Sequence, residues 1–357
     1  MRVVVCGGGV IGASIAYFLS RRGIRTIVLE RTGIACAASG KSGGFLALDW
    51  CDGTPLEALA RRSFRLHARL PEEIGGDWGY RPLTTYSGRV GRSVVESPVP
   101  QWLSRSVGLD RRLGRPETTA QVHPGRFTAA LMRSAEEHGA EVRIEAVTGV
   151  ALASGGNRVA GVETARSFVE ADAVVIAMGP WSALAAEWLP IPKVHGLKGH
   201  SLVFETGTAV PAEALFLEFR DGRTGAAYSP EVFPRPDGTT YVCAVSSESP
   251  VPPEPGDVAP DPGAMPILER LCSQISPELQ ESRIVARQAC YRPVTRDGLP
   301  LIGAIPGIAG AFVATGHSVW GILNAPATGE AVAELIADGA ARHVDLSWFS
   351  PGQRLVT

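Results

Sequence analysis

The sequence predicts an α/β fold in which a mostly parallel, nucleotide-binding sheet carries an inserted, mainly antiparallel β domain. The first observation is a β-branched run at residues 2–6 that ends in three glycines, followed by apolar residues at helical spacing over 11–22 and a second apolar run at 26–30. This strand, turn, helix and strand form a βαβ unit, and such units build parallel sheets. The second observation is a set of short β runs between 197 and 247, separated by turn residues, which favours antiparallel pairing.

The remaining elements complete two domains. A helix over 124–138 is followed by the apolar run 141–147, and a long helix is expected over 325–338. Residues 80–115 and the proline-rich stretch 250–266 are predicted to be irregular. We therefore predict a discontinuous nucleotide-binding domain formed by residues 1–50, 120–195 and 285–357, and a substrate-binding domain formed by residues 51–119 and 196–284.

Composition excludes several classes of function. The 357 residues carry a net charge of -2, with 34 basic and 36 acidic residues spread along the chain, so we expect no nucleic-acid partner. The six cysteines are scattered and form no metal-binding pattern, so we expect no metal. We expect a cytoplasmic protein without a membrane partner, because no apolar run has the length of a membrane span. The oligomeric state is left open.

A glycine motif lies between the first strand and the first helix. Its first glycine permits a tight turn, its second lets the backbone approach a pyrophosphate, and its third allows close packing of helix on strand. The helix N-terminus adds amide donors, and Glu30 is placed to accept hydrogen bonds from ribose hydroxyls. The predicted cofactor contacts of this unit are Gly7, Gly9, Val10, Ile11, Gly12, Glu30 and Arg31. FAD and NAD share the ADP half that such a unit binds, so the motif alone does not distinguish them.

Further segments carry a family resemblance. The small-residue loop 37–44, AASGKSGG, is similar to the loop that lies along the flavin in the D-amino-acid oxidase superfamily. The segments 292–303 and 314–329 resemble the C-terminal flavin-binding region of glycine oxidases and, more loosely, of sarcosine oxidases. The resemblance implies a Rossmann-type FAD-binding domain with FAD as cofactor. It implies cofactor contacts from Ser39, Lys41, Ser42, Gly43, Gly44, Val147, Gly179, Trp181, Gly316, His317, Val319, Trp320, Gly321 and Ile322.

The resemblance also implies the residues that meet the substrate. Arg292 stands where glycine oxidases bind the substrate carboxylate, Tyr228 is similar in position to a substrate-facing tyrosine, and His317 supports the site beside the flavin. The alternatives are a structural ion pair or a surface position for Arg292, and a local polar contact for the other two. Val319 replaces a substrate-side arginine, which implies a substrate larger or more apolar than glycine. Trp320 is either a wall of that site or part of the core.

The implied reaction is oxidation of a C–N bond in an amino or imino acid, with hydride transfer to flavin N5, an imine product, and O2 as acceptor giving H2O2. The open alternatives are a dehydrogenase with another acceptor, a biosynthetic oxidase acting on an amine in a larger metabolite, and a noncatalytic FAD-binding protein. Cys290 matches the site of covalent flavin in sarcosine oxidases, but noncovalent FAD is our expectation. Sarcosine oxidases activate oxygen with a lysine of the substrate domain. This chain has none between 199 and 357, so Lys41 is the candidate substitute.

Overall fold

The structure is a computed structural model that describes residues 1–91 and 100–354. Residues 92–99 and 355–357, which fall within the predicted domain ranges 51–119 and 285–357, lie outside the described residues. In chain order, the first part contains β1 (Arg2–Cys6), α1 (Val10–Ser20), β2 (Arg25–Glu30), α2 (Ala38–Lys41), β3 (Phe45–Ala47), α3 (Glu57–Ile74), β4 (Arg81–Pro82), β5 (Thr84–Val90), β6 (Val107–Gly114), β7 (Thr119–Gln121), α4 (Pro124–Glu137), β8 (Glu141–Ile144), β9 (Val147–Leu152), β10 (Val159–Thr164), β11 (Phe168–Glu170) and β12 (Ala173–Ile176). The second part contains a 3-10 helix (Gly179–Glu187), β13 (Val194–Glu205), β14 (Glu213–Arg220), β15 (Ala227–Tyr228), β16 (Glu231–Pro234), β17 (Thr239–Ser247), α5 (Ala264–Ile275), α6 (Pro277–Glu281), β18 (Arg283–Thr295), β19 (Leu301–Ala304), β20 (Ala311–Thr315) and α7 (Gly321–Asp338). Shorter 3-10 turns lie at Pro255–Asp257, Ser318–Trp320, Ser347–Phe349 and Pro351–Gln353.

The nucleotide-binding sheet has the strand order β19-β20-β12-β1-β2-β8. From β20 to β8 the strands are parallel, and β19 adds an antiparallel edge. Val3, Val4, Val5 and Cys6 of β1 are fully buried, because α1, α4 and α7 cover one face while the three-stranded sheet β11-β10-β9 covers the other. This confirms the predicted α/β class and Rossmann-type arrangement.

The second large sheet has the order β18-β13-β17-β16-β14-β5-β6, with β15 paired to β14. All of its neighbours are antiparallel except the pair β14 and β5. Leu268 and Leu271 of α5 pack on its outer face against Leu202 and Leu215. Its inner face turns toward the loop after β2. The strand β18 crosses the predicted domain boundary at residue 285, so the exact division into domains stays a proposal.

Two local expectations are wrong. Residues 80–91 and 100–115, the described part of the stretch predicted to be irregular, contain the strands β4, β5 and β6. Two register shifts between β5 and β6 break the alternation that identifies strands in a sequence, and Gly88 sits where a Cβ would lie 2.4 Å from a backbone oxygen of Gly108. The proline-rich stretch also ends earlier than expected, since α5 begins at Ala264.

The last helix starts at Gly321 and not at Ala325, with Pro326 inside it. A proline has no N–H for the carbonyl four residues earlier, here that of Ile322. His67 of α3 fills the gap, because its Nε2 lies 2.9 Å from the Ile322 oxygen and 3.2 Å from the Leu323 oxygen. The Ala327 N–H donates instead to Ser63 Oγ at 3.0 Å. The long helix is therefore continuous through a proline because α3 supplies the missing partners.

Within the part of the chain that the structure describes, no helix has both the length and the apolar character that crossing a membrane requires.

Candidate active site

A cleft opens at the carboxyl ends of the parallel strands, where α/β sheets bind their ligands. It is bounded by the loops after β1, β2 and β12, by the end of β20 and by the start of α7. Its empty space is about 1130 Å³, which includes the solvent at its open mouth. The cleft runs from the glycine turn after β1 to the start of α7, which is the arrangement that a dinucleotide site on a parallel sheet requires.

The glycine turn at one end is fixed by close backbone contacts. Gly7 has a φ of +115°, and a Cβ there would lie 2.4 Å from the Ala177 oxygen. A Cβ on Gly12 would lie 1.9 Å from the Gly7 oxygen, so the helix can pack against the turn only with glycine at this position. The N–H of Val10 donates to Ser39 Oγ at 2.9 Å, which holds the loop after β2 beside the start of α1. The positive end of α1 thereby faces the cleft.

Glu30 ends β2 at the wall of the cleft. Its Oε2 accepts the Gly8 N–H at 2.7 Å, and its Oε1 accepts the Thr32 N–H at 2.9 Å. A carboxylate has about four acceptor sites, so two backbone bonds orient Glu30 and leave capacity for ribose hydroxyls. The geometry is consistent with the predicted role.

The proline-rich segment 250–257, which we call the strap, crosses the mouth of this cleft. Arg31 donates to Glu254 Oε1 at 2.6 Å and to the Pro253 oxygen at 3.2 Å. The indole N–H of Trp181 donates to the Pro252 oxygen at 2.8 Å, and Pro255 itself lines the cleft. Arg31 and Trp181, both predicted to contact the cofactor, therefore also hold the strap, whose position beside the cleft was not predicted from the sequence.

At the other end of the cleft two buried polar atoms have no hydrogen-bond partner among the described residues. They are Ser42 Oγ and His317 Nδ1. His317 Nε2 contacts Thr328 Oγ1 at 3.1 Å, and burial lowers the pKa of His317 to about 3, so the ring is neutral at physiological pH. Orphaned buried polar atoms are costly unless a ligand satisfies them. Together with the glycine turn and Glu30 they fit FAD, whose polar groups would meet both ends of the cleft.

The structure brings most of the predicted cofactor residues onto this wall. They are Gly7, Gly9, Val10, Ile11, Glu30, Arg31, Ser39, Ser42, Val147, Gly179, Trp181, His317, Gly321 and Ile322. It places seven others behind or beside the wall, namely Gly12, Lys41, Gly43, Gly44, Gly316, Val319 and Trp320. Several of these glycines permit close packing, since a Cβ would lie 2.3 Å from Phe233 at Gly43, 2.0 Å from the Val122 oxygen at Gly44, and 2.7 Å from Thr295 at Gly316.

Arg292 lies on the inner face of the antiparallel sheet, beside the ring end of the cleft. It follows Gln288 and Cys290 at every second position of β18, and Gln288 donates to the Lys41 oxygen at 3.1 Å, so this face meets the loop after β2. The next residue, Pro293, lines the cleft. Within the described residues the guanidinium of Arg292 makes no hydrogen bond or ion pair, and it lies over Gly199, where a Cβ would be 3.1 Å from Nη2. The structural ion pair that was the alternative role for Arg292 is therefore absent among the described residues.

Tyr228 is not brought to Arg292, contrary to expectation. It is paired with Phe219 across β15 and β14, and their rings lie 6.3 Å apart in the core on the outer face of the sheet.

The residue that sequence reasoning missed is Glu231, on β16. It lies opposite Phe216 and Cys243 on the inner face, and Arg292 is near enough to oppose the rise that burial causes in its pKa. In the sequence, the alternation of residues along β16 indicates that Glu231 and Phe233 share one face of the sheet. It does not indicate which of the two faces meets the cleft.

An aromatic group covers the same region. Phe45, Trp50, Phe216 and Phe233 have ring centroids 4.8 to 5.5 Å apart, and Trp320 meets Trp50 at 6.4 Å. Trp320 also packs against the core, and its place in the wall of the substrate site stays a prediction. Val319 is 59% exposed beside it.

Lys41 and Cys290 lie near one another. Burial raises the pKa of the Cys290 thiol, while the charges of Arg292 and Lys41 oppose that rise. The thiolate that would attach a flavin covalently is therefore disfavoured.

One group of possible metal ligands, Glu330, Glu334 and His343, occurs among the described residues. Its carboxylates are already engaged: Arg62 donates to both oxygens of Glu330 at 2.6 and 2.8 Å, and His343 contacts Glu334 at 2.6 Å. The group fastens the segment after α7 and is saturated by internal partners.

Comparisons with known proteins show the family of this chain. The family described as FAD dependent oxidoreductase (DAO) matches residues 2–335. A protein of Schizosaccharomyces pombe named as an oxidoreductase is 31% identical over 385 aligned positions, covering 98% of this chain and 97% of that protein. The glycine oxidase of Pseudomonas aeruginosa is 27% identical, with 99% of each chain covered. The crystal structure of glycine oxidase from Geobacillus kaustophilus superposes with a TM-score of 0.82 at 26% identity, covering 98% of both chains.

Proposed function

Because the chain belongs to the DAO family of FAD-dependent oxidoreductases, we propose that it oxidises the C–N bond of an amino or imino acid to an imine. The protein is an enzyme and FAD is its cofactor. Relatives named glycine oxidase support an amino-acid substrate, but the departure at Val319 favours one larger than glycine.

The observation that carries this proposal is the unpaired guanidinium of Arg292 beside the ring end of the cleft. A guanidinium fork matches a carboxylate with two parallel hydrogen bonds. Within the described residues the protein supplies no carboxylate partner at hydrogen-bonding distance, so Arg292 is free to bind that of a substrate. The aromatic group on the same face provides an apolar wall for the rest of the molecule.

Bound FAD supplies the hydride acceptor, its N5 atom. The chain's own residues contribute position and environment. Arg292 anchors one end of the substrate, and the aromatic wall excludes water from the other, which lowers the entropic cost of reaching the reactive geometry. His317, kept neutral by burial, offers Nδ1 as an uncharged hydrogen-bonding group and adds no positive charge.

The acceptor of the electrons is proposed to be O2. Lys41 is the candidate for activating it, since its charge acts on Cys290 and so lies near the face that carries Arg292. Peroxide release in air distinguishes an oxidase from a dehydrogenase that needs another acceptor.

The test is anaerobic bleaching of the flavin absorbance by a panel of amino and imino acids, with the matching amines that lack a carboxylate as controls. We expect bleaching by some amino acids and weaker bleaching by the amines, followed by stoichiometric H2O2 when air is admitted. A protein that holds FAD but is bleached by no member of the panel would contradict the proposal and favour a noncatalytic role. Bleaching without peroxide would remove only the oxidase part.

We propose noncovalent attachment of FAD. Acid precipitation should release all the flavin to the supernatant, because the Cys290 thiol resists ionisation. Colour that stays in the pellet and disappears in Cys290→Ser would overturn this part.

A further inference from the structure

Glu231 is a half-buried carboxylate with no strong partner. Its only hydrogen bond among the described residues comes from the Cys243 thiol, whose Sγ lies 3.4 Å from Oε2. A thiol is a weak donor, and an ionised carboxylate that is removed from water without a good partner costs free energy. Burial accordingly raises the pKa of Glu231. A ligand that brings a positive charge would offset this cost.

The strand register places Glu231 and Arg292 on one face. Glu231 is paired with Cys243, Cys243 with Ser201, and Ser201 with Gln288, so these side chains point to the same side of the sheet. Arg292 lies four residues after Gln288 on β18, so its side chain points to the same side of the sheet as that of Gln288. Its charge acts on Glu231, yet the two groups form no ion pair within 4.0 Å. The inner face therefore presents one positive and one negative group that do not neutralise each other by direct contact.

The aromatic wall begins next to this pair. Phe216 is the cross-strand neighbour of Glu231, and its ring lies 4.8 Å from that of Trp50. A ligand held between Arg292 and Glu231 would thus place its remaining atoms against aromatic rings.

We propose that Glu231 binds the positively charged nitrogen of the substrate while Arg292 binds its carboxylate, which makes the substrate a zwitterionic amino or imino acid with an apolar side chain. This inference rests on the proposed function and names its substrate class. Like charges that face each other in a confined site destabilise a complex. Glu231 therefore selects against N-acylated amino acids, which lack the charge, and against acidic side chains.

The experiment uses the FAD-loaded protein and two ligands that differ in the nitrogen. One is the best amino acid of the bleaching panel, whose apparent dissociation constant is taken from anaerobic reduction rates. The other is 3-phenylpropionate, an apolar carboxylate without an amine, whose binding is followed by the change in flavin absorbance. Glu231→Gln keeps the size of the side chain and removes its charge.

We expect Glu231→Gln to weaken binding of the amino acid about ten-fold or more, and to leave binding of 3-phenylpropionate equal or tighter because a repulsive charge is gone. Glu231→Asp keeps the charge and should recover part of the amino-acid affinity. The control is Glu218→Gln, which changes an exposed glutamate on the neighbouring strand β14. It should leave the binding of both ligands unchanged.

Equal weakening of both ligands would mean that Glu231 only supports the strand, and no change in either would mean that it does not face the substrate. Either result overturns the inference. If no amino acid reduces the parent protein, the proposed function fails instead, and 3-phenylpropionate binding to parent and Glu231→Gln still reports whether the charge faces the ligand.

Discussion

Replacing Arg292 with methionine tests the central contact of the proposed site. The change keeps an unbranched side chain of similar length and removes the charge and the fork. Because Arg292 has no hydrogen bond or ion pair within the described residues, the substitution breaks no such internal contact there. The loss should therefore appear in substrate binding, with the fold and FAD content nearly unchanged.

The magnitude follows from the bond that is lost. A hydrogen bond to a charged group contributes about 1.5 to 3 kcal/mol, and one decade in rate corresponds to about 1.4 kcal/mol. Arg292→Met should thus lower kcat/KM for the amino-acid substrate roughly 10- to 150-fold. The corresponding amine without a carboxylate should be oxidised at nearly the parent rate, because it makes no use of the guanidinium.

The assay is flavin reduction by stopped flow at several substrate concentrations, together with the absorbance ratio of bound flavin to protein. The matched control is Arg287→Met on the same strand, since Arg287 is half exposed and its one ion pair among the described residues is with Glu269, at 2.8 Å. We expect this control to stay within about two-fold of the parent. Parent-like oxidation of amino acids by Arg292→Met, or loss of FAD from it, would show that Arg292 is structural and would refute the carboxylate argument.

Three further predictions concern the cofactor and the fold. Gly12→Ala should lower FAD affinity at least about ten-fold, measured by flavin retention on gel filtration, because a Cβ would lie 1.9 Å from the Gly7 oxygen. Glu254→Gln should increase the rate of FAD release about 2- to 5-fold, measured with an excess of an apoprotein that captures the released FAD. The change weakens the exposed ion pair between Glu254 and Arg31, 2.6 Å long, that holds the strap. Burial lowers the pKa of His67 from 6.5 to about 4, so the unfolded chain binds a proton that the folded protein does not. His67 should therefore lower the free energy of unfolding by about 1.4 kcal/mol per pH unit as the pH drops through that window. His67→Gln should remove this contribution and leave that of His317, whose pKa burial also lowers.

Each of these has its own control or contrary outcome. Gly222→Ala adds a Cβ that meets nothing within 4 Å and should retain FAD like the parent. Glu248→Gln, an exposed change just before the strap, should not alter FAD release. If Glu254→Gln releases FAD at the same rate as the parent protein, the strap does not retain the cofactor. An unchanged pH slope in His67→Gln would assign the acid sensitivity to other groups.

The ADP-binding end of the site could be predicted from the sequence because it is local. Gly7, Gly9, Gly12 and Glu30 lie within one strand, turn, helix and strand, so spacing along the chain fixes their arrangement in space. The parallel sheet followed from the same local order, and the structure confirms it.

The substrate face could not be predicted in the same way. Which residue of β16 meets Arg292 depends on pairing among strands from distant parts of the chain, and a shift along one strand exchanges its inner and outer residues. The resemblance implied that Tyr228 faces the substrate. The structure places Tyr228 in the core on the outer face of the sheet, and it places Glu231 on the inner face.

What the sequence determined by itself is the α/β class, the glycine turn and the residue types available to bind FAD, since these depend on contacts between near neighbours in the chain. The tertiary structure alone decided that Arg31 holds a strap 223 residues away, that His67 supports a helix across Pro326, and that Glu231 shares a face with Arg292. These contacts join residues far apart in sequence, and only the packing of sheets and helices brings them within reach of one another.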